Sequence, residues 1–471
     1  MKDQVTITVV GSGYVGLVAA SCFAEIGHQV ICVDNDESKI AQLREGKVPI
    51  YEEYLPEMLN RYRNTSVEFT TDLHTATRRA QAIFIAVGTP QSQTGSADLS
   101  YVDAVASEIA RSITEYKLII EKSTVPVYTN EWISRVIERN GVPRELFDVA
   151  SNPEFLREGT AVVDFLHADR IVIGVDSERA SKLLRAIYEP LTSGTYYQSP
   201  TAVPGFRSAA NPSPLLQTST KAAELIKHAS NAFLAMKISF INAVSNICEA
   251  VGADIEEVSK GIGSDGRIGP KFLKAGIGYG GSCFPKDVAA FRYVAEQIGI
   301  DFGLLREVEK INAEQKKRFF QKVRSALWTF RGKKLGILGL AFKGGTDDIR
   351  ESPALDLIAD FLKEGCIISV YDPAAMERTK QILPPSGTLS YAQDAYEAAA
   401  EADALLILTD WQEFVDLDLD RLRYTLRYPV IIDGRNLYDR ASLSARGFTY
   451  MSVGRPSVTQ IRDAALLHKL P

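Results

Sequence analysis

From Val5 to about residue 175, short apolar and β-branched runs alternate with longer stretches whose apolar positions recur every three or four residues. The short runs cover residues 5–10, 30–33, 82–87, 118–120, 149–150 and 171–175. This alternation predicts βαβ units around a parallel sheet. Most runs end in a glycine or a polar residue, namely Gly11, Asp34, Gly88, Glu121 and Ser151. Ligands of open α/β sheets bind at the C-terminal ends of strands, so these are the positions to inspect.

Residues 199–220 carry Pro200, Pro204, Pro212 and Pro214 among small polar residues and read as a linker or an ordered surface loop. One long helical pattern follows over 221–251, with Leu225, Ala229, Phe233, Met236, Phe240, Val244 and Ile247 three or four apart. Gly252 ends it, and a second helix is expected over 254–261. A third region starts near Lys333, with strands over 335–340, 367–371, 405–409 and 430–433 and a helix over 355–362. The expected fold is α/β, two Rossmann-like parallel-sheet domains joined by a long central helix. The divisions are 1–210 for a dinucleotide domain, 211–325 for a helical connector and 326–471 for a second ligand domain.

Length agrees, because a single core stops growing at roughly 250 to 300 residues and the chain has 471. Lys plus Arg total 53 against 59 Asp plus Glu, a net charge of −6, which argues against nucleic-acid binding. No unbroken apolar run reaches the ~18 residues of a membrane span and no signal pattern opens the chain, so a cytoplasmic protein without membrane attachment is expected. Five cysteines, odd in number and widely spaced, fit reduced thiols. Nothing in the sequence calls for a metal.

Gly11, Gly13 and Gly16, with Tyr14 and Val15 between them, form G-S-G-Y-V-G after the first strand and at the start of a helix. The first glycine permits the turn, the second lets a pyrophosphate approach the backbone, and the third allows the helix to pack on the strand. Asp34 ends the next strand 18 residues after the last glycine, where a carboxylate holds ribose hydroxyls and repels a 2′-phosphate. NAD is therefore expected over NADP, with Lys39 softening the discrimination. The third region has Gly336, Gly339, Gly344 and Gly345 but no such triplet; its loop with Phe342, Lys343, Thr346 and Arg350 suits another phosphorylated ligand.

The stretch from Gly276 to Asp287, G-I-G-Y-G-G-S-C-F-P-K-D, holds the densest chemistry. Glycines such as Gly280 bring backbone close to a ligand, and Cys283 sits at a loop-to-helix transition where N–H groups and Lys286 favour a thiolate. Cys22, Cys32, Cys248 and Cys366 lie in apolar patterns and read as packed residues. Lys227 and Asn231 share a helix face and form either an oxyanion-stabilising pair or a solvated stripe. Thr124 and Glu154 follow strand ends and are either chemical groups or helix caps.

These motifs, together with V-G-T-P, S-N-P-E-F-L-R-E-G, A-E-L-I-K-H-A-S-N-A-F, F-K-G-G-T-D-D-I-R-E-S-P and D-G-R in that order, resemble the UDP-glucose 6-dehydrogenase family within the UDP-glucose/GDP-mannose dehydrogenases. The resemblance runs from Val5 to about Gly454. It implies a four-electron oxidation of UDP-glucose to UDP-glucuronate with two NAD and a covalent cysteine. Cys283 then matches the nucleophile, Lys227 and Asn231 the oxyanion donors, Asp287 and Thr124 the groups positioning water, and Glu154 the acid/base carboxylate. Glu154, Phe155, Leu156, Lys227, Phe272, Lys274, Gly280, Lys343 and Arg435 resemble substrate contacts. Asp34, Lys39, Thr89, Thr124, Glu158, Lys286 and Arg350 join the glycine motif as cofactor contacts. Arg267 matches an arginine that reaches the substrate of a neighbouring subunit, which implies a homodimer built on the long helix. The same chemistry on GDP-mannose or a UDP-N-acetylhexosamine is the competing reading. A two-electron hydroxyacid dehydrogenase would need neither the cysteine nor the second α/β region, and a nucleotide sensor would leave Cys283, Lys227 and Asp287 without work.

Overall fold

The computed structural model describes residues 4–91 and 97–457. Of the tail after Gly454, to which the sequence assigns no role, residues 458–471 lie outside the described residues. The chain forms two compact units, Met1–Ser230 with Ala289–Asp301, and Asn231–Val288 with Phe302–Pro471.

The first unit is built on eight strands: β1 Thr6–Val10, β2 Gln29–Val33, β3 Val67–Thr70, β4 Ala82–Ile85, β5 Lys117–Glu121, β6 Phe147–Ser151, β7 Ile171–Gly174 and β8 Leu215–Thr218. Their order is β3-β2-β1-β4-β5-β6-β7-β8, and every neighbouring pair is parallel except β6 and β7. Alternation along the strands splits the core in two. Ile7, Val9, Cys32 and Phe84 pack into one face, while Val10, Ile31, Ile83 and Ile85 pack into the other. The chain leaves β1 toward β2 on one side and β4 lies on the other, so the switch point falls at Gly11.

Two strands escape the hydrophobic pattern. β3 alternates buried and exposed positions over only four residues, and β8 is a half-exposed edge strand behind the prolines. The 199–220 segment is thus ordered and contributes a strand to the first sheet. His167 fixes part of it: its Nε2 bonds the Val203 carbonyl at 2.7 Å and its Nδ1 accepts the Arg207 N–H at 3.1 Å.

The second unit carries β9 Lys334–Leu338, β10 Ile367–Tyr371, β11 Leu389–Tyr391, β12 Ala404–Ile407, β13 Val430–Asp433 and β14 Thr449–Ser452, all parallel, in the order β11-β10-β9-β12-β13-β14. The short strands β11 and β14 are again those missing from the sequence pattern. The helix Thr220–Val251 has 32 residues and ends at Gly252, whose φ of +78° suits only glycine well. By length and composition it could cross a membrane, which counting unbroken apolar runs does not reveal. It also buries Glu224, Lys227, His228, Asn231, Ser239 and Asn242 within the protein.

Candidate active site

In the first unit the glycine motif forms a turn that no larger residue could make. Gly11 has φ of +102°, and a Cβ on Gly16 would stand 1.8 Å from the Gly11 carbonyl oxygen. A Cβ on Gly13 would meet nothing within 4 Å, so open space lies over the start of the helix Tyr14–Glu25. That space in front of free helical N–H groups is what a pyrophosphate requires. Asp34 Oδ2 accepts the Ser12 N–H at 2.8 Å and the Ser12 hydroxyl at 2.7 Å, and Lys39 Nζ stands 3.2 Å from it. Burial works to raise the Asp34 carboxyl, but the Ser12 donors, the Asp36 N–H and Lys39 outweigh it and hold the group below its ordinary value. The carboxylate is therefore ionised and oriented at the strand end, and these residues fit NAD.

Buried Glu52 ties the motif to a second loop. Its carboxylate accepts the Tyr14 hydroxyl, the Gly159 N–H at 2.8 Å and the Val162 N–H at 3.3 Å. Glu158 thus sits beside a loop anchored to the glycine turn. Thr89 and Thr124 are also joined, since Thr89 Oγ1 donates to the Thr124 carbonyl at 2.9 Å. The segment after Thr124 is pinned to the long helix: Glu224 accepts the Tyr128 and Asn130 N–H groups, each at 2.9 Å, and His228 Nε2 bonds the Val125 carbonyl at 2.7 Å.

Glu154 follows β6 and does not cap a helix. Its Oε1 accepts the Phe155 N–H at 2.6 Å, and its Oε2 lies 2.8 Å from the ammonium of Lys122. Phe155 lies near two cations, with the Arg170 guanidinium 4.0 Å and the Lys227 ammonium 5.4 Å from the ring centroid. Leu156 and Val15 pack against the core of this unit. Lys122 and Arg170 were not singled out from sequence. The available signal was a charged residue directly bordering an apolar strand, at the end of β5 and at the start of β7.

In the second unit the glycine stretch is threaded through close backbone approaches. A Cβ on Gly280 would lie 2.1 Å from the Glu351 carbonyl oxygen, and one on Gly276 would lie 2.8 Å from that of Gly434. Gly281 N–H donates to the Arg350 carbonyl at 2.9 Å, and Asn312 exchanges hydrogen bonds with Tyr279 at 2.8 and 3.0 Å. This clamp delivers Cys283 to the N-cap of the helix Phe284–Gln297. Cys283 is exposed, while the other four cysteines are buried. One turn on, Asp287 is fully buried, accepts the Asn231 amide at 2.6 Å and pairs with Lys286 at 2.9 Å. Asn231 is 6% exposed, so a solvated stripe is excluded there; Lys227, also 6% exposed, lies one turn earlier on the same helix.

Phe272 adopts φ of +65°, a costly conformation for an aromatic residue, and packs on Phe284 at 6.1 Å. Arg435 acts as a staple: its guanidinium donates to the carbonyls of Leu408, Gly278 and Phe342 at 2.8, 3.2 and 2.8 Å. Asp410 lies near Arg435 and Lys274. Burial works to raise its carboxyl, and Arg435, the Gly344 N–H and Lys274 hold it below the ordinary value. Arg350 pairs with Asp348 at 2.6 Å, and Lys343 lies 5.7 Å from the Phe342 ring centroid. Arg267 is 89% exposed and bonds Asp265 at 2.6 Å.

Comparison with known proteins covers both units. Residues 5–192 match the NAD binding domain of the UDP-glucose/GDP-mannose dehydrogenase family, residues 221–314 its central domain and residues 336–440 its UDP binding domain. The chain is 44% identical over 453 residues to UDP-glucose 6-dehydrogenase TuaD of Bacillus subtilis, covering 96% of this chain and 94% of that protein. It is 45% identical over 455 residues to UDP-glucose 6-dehydrogenase of Rhizobium meliloti, covering 96% and 99%. The structure of a UDP-glucose dehydrogenase from Pyrobaculum islandicum superimposes with a TM-score of 0.85 at 36% identity, over 97% of this chain and 99% of that one. The strand-end turn with Asp34, the clamped cysteine loop and these full-length likenesses lead to one assignment: the chain belongs to the UDP-glucose/GDP-mannose dehydrogenase family.

Proposed function

We propose that this protein oxidises the C6 alcohol of UDP-glucose to the carboxylate of UDP-glucuronate, through a thioester on Cys283. The observation that carries the reading is Cys283 itself, exposed at a helix N-cap with the Asp287, Asn231 and Lys286 cluster one turn behind it. Gly11, Gly13, Gly16 and Asp34 would hold NAD, which would supply the hydride acceptor for both oxidations.

Loss of hydride from C6, with the hydroxyl proton passing to the water that Asp287 positions, leaves the aldehyde. The Cys283 thiolate adds to its carbon, forming the C–S bond of a thiohemiacetal, and a second loss of hydride with the hydroxyl proton gives the thioester. Water then attacks the carbonyl, the C–S bond breaks, and the thiolate and the acid are released. Each tetrahedral stage places negative charge on oxygen, and Lys227 and Asn231 are the donors suited to stabilise it, with Asp287 orienting the Asn231 amide. Glu154 takes the proton of the attacking water. Phe155 in the first unit, and Phe272, Lys274, Lys343 and Arg435 in the second, are the residues this reading assigns to the substrate, Arg435 by fixing loops.

The protein acts as a homodimer in this reading. Phe233, Phe240 and Ile247, spaced by seven on the long helix, are 59%, 55% and 61% exposed, a stripe suited to a second copy, and the exposed Arg267 would reach that copy by giving up its pair with Asp265. The test is the NADH yield from limiting UDP-glucose. Two NADH per sugar with no aldehyde trapped by hydrazine is expected, and one NADH per sugar sinks the scheme. Running GDP-mannose and UDP-N-acetylhexosamines beside it by kcat/KM tests the choice of sugar.

A further inference from the structure

We infer that Lys122 is a positioning residue for thioester hydrolysis, anchoring one oxygen of Glu154 so that the other meets the attacking water. The inference rests on the thioester reading above. Lys122 is 3% exposed at the end of β5, and its ammonium lies 2.8 Å from Glu154 Oε2 and 3.2 Å from Asn152 Oδ1. The same Asn152 oxygen accepts the hydroxyl of buried Tyr188 at 2.6 Å, and Asn152 Nδ2 donates to the Val172 carbonyl at 2.8 Å. The ammonium also stands 5.5 Å from the Phe165 ring centroid.

An ammonium taken this far out of water requires a compensating anion, and Glu154 is the carboxylate it meets. Glu154 Oε2 is itself buried and has no donor in hydrogen-bond alignment, so it is held by charge. Oε1, bonded to the N–H of Phe155, is the oxygen left to face a water. In the hydrolytic step the water oxygen bonds to the thioester carbonyl carbon, its proton passes to Glu154, and the C–S bond breaks to return the Cys283 thiolate. Lys122 exchanges no proton. It fixes the direction from which the base acts, and rotation of an unanchored Glu154 would cost that geometry about 10²-fold in rate. Neither hydride transfer needs this base, so the effect falls on one stage only.

The experiment is a rapid-quench single turnover of the full-length protein with NAD and UDP-glucose, reading NADH by absorbance and acylated Cys283 by intact mass. In Lys122→Met, two NADH per site form in a burst at the wild-type rate. The acyl-enzyme then accumulates and hydrolyses about 10²-fold more slowly, with NAD affinity unchanged. Lys122→Gln, which keeps a donor toward Asn152 without the charge, carries the same expectation if the methionine variant folds poorly. Hydrolysis at the wild-type rate overturns the inference, as does an equal loss in the burst and in hydrolysis, the mark of a merely structural lysine. Glu154→Gln is run alongside. If it accumulates no acyl-enzyme, the role given to Glu154 falls and Lys122 with it; accumulation there with normal hydrolysis in Lys122→Met removes Lys122 alone.

Discussion

Each sheet reverses its strand order at its first strand, and each follows that strand with a left-handed glycine, Gly11 at φ of +102° and Gly339 at +100°. In each a carboxylate ends the next strand and accepts N–H groups from the turn. Asp34 takes two donors from Ser12 and one from Asp36, pairs with Lys39, and keeps its side chain 10% exposed. Asp372 is 1% exposed and takes five donors: the N–H groups of Leu340, Ala341, Ala374 and Ala375 and the indole of Trp411. The first turn leads straight into a helix at Tyr14, whereas the second runs through a loop with Lys343 and Arg350 before its helix begins at Pro353. One topology thus yields a carboxylate left partly open at the strand end and another consumed by the fold, and a strand followed by Gly and Asp cannot by itself identify a dinucleotide site.

The largest expected effect separates the regions by chemistry. Cys283→Ala should lower acid formation by at least about 10³-fold, while calorimetry finds NAD binding unchanged. A fall in NAD affinity of similar size would erase the distinction. Next, Gly16→Ala drives a Cβ against the Gly11 carbonyl, so NAD affinity should fall about 10²-fold while UDP binding, measured separately, holds. The two carboxylates can then be set against each other. Asp372→Ala orphans buried donors and should cost about 3 kcal/mol in denaturant unfolding. Asp34→Ala should cost about 1 kcal/mol but raise KM for NAD roughly tenfold. Reversal of that pattern would mean that the second carboxylate also serves a ligand.

The last effect, on stability alone, concerns strand ends one step further along. Asp433 ends β13 and accepts from Arg435 N–H, Leu437 N–H and the Tyr450 hydroxyl. Glu121 ends β5 with Ser123 as donor to one oxygen and none to the other, and burial pushes its carboxyl up to about 8. The folded state therefore keeps a proton that the unfolded chain loses above a pH of about 4.3, so stability from this group is full below that value, declines as pH rises and levels off above about 8. Glu121→Gln should abolish the decline, gaining about 2 kcal/mol on wild type between roughly pH 5.5 and 7.5. Parallel unfolding curves for the two proteins across that range would refute it.

Much of this was legible in the chain. Central strands buried on both faces write continuous apolar runs, and the glycine triplet and the cysteine loop announce themselves by spacing. Strands β3, β8, β11 and β14 did not, because an edge strand needs few apolar residues and takes its stability from one neighbour. The exposure of Cys283 and the burial of the other cysteines followed from their apolar or glycine-rich surroundings. The partners of Asn231 and Glu154 did not follow, because Asp287 lies 56 residues away and Lys122 meets Glu154 across neighbouring strands. Arg435 shows the opposite gap: the resemblance makes it a substrate contact, and its place in the sequence does not announce the three carbonyls on its guanidinium.

The long helix also acts as a ruler. Lys227 and Asn231 are read off one uninterrupted backbone of 32 residues, where each residue advances about 1.5 Å and turns about 100°. Inserting one residue between them would swing the later side chain off the face of the earlier one, and no repacking of a surface loop could absorb the error. Length variation should therefore be tolerated in the proline-rich segment before Thr220 and forbidden between Lys227 and Asn231, so that the spacing of two donors is stored in the pitch of a helix.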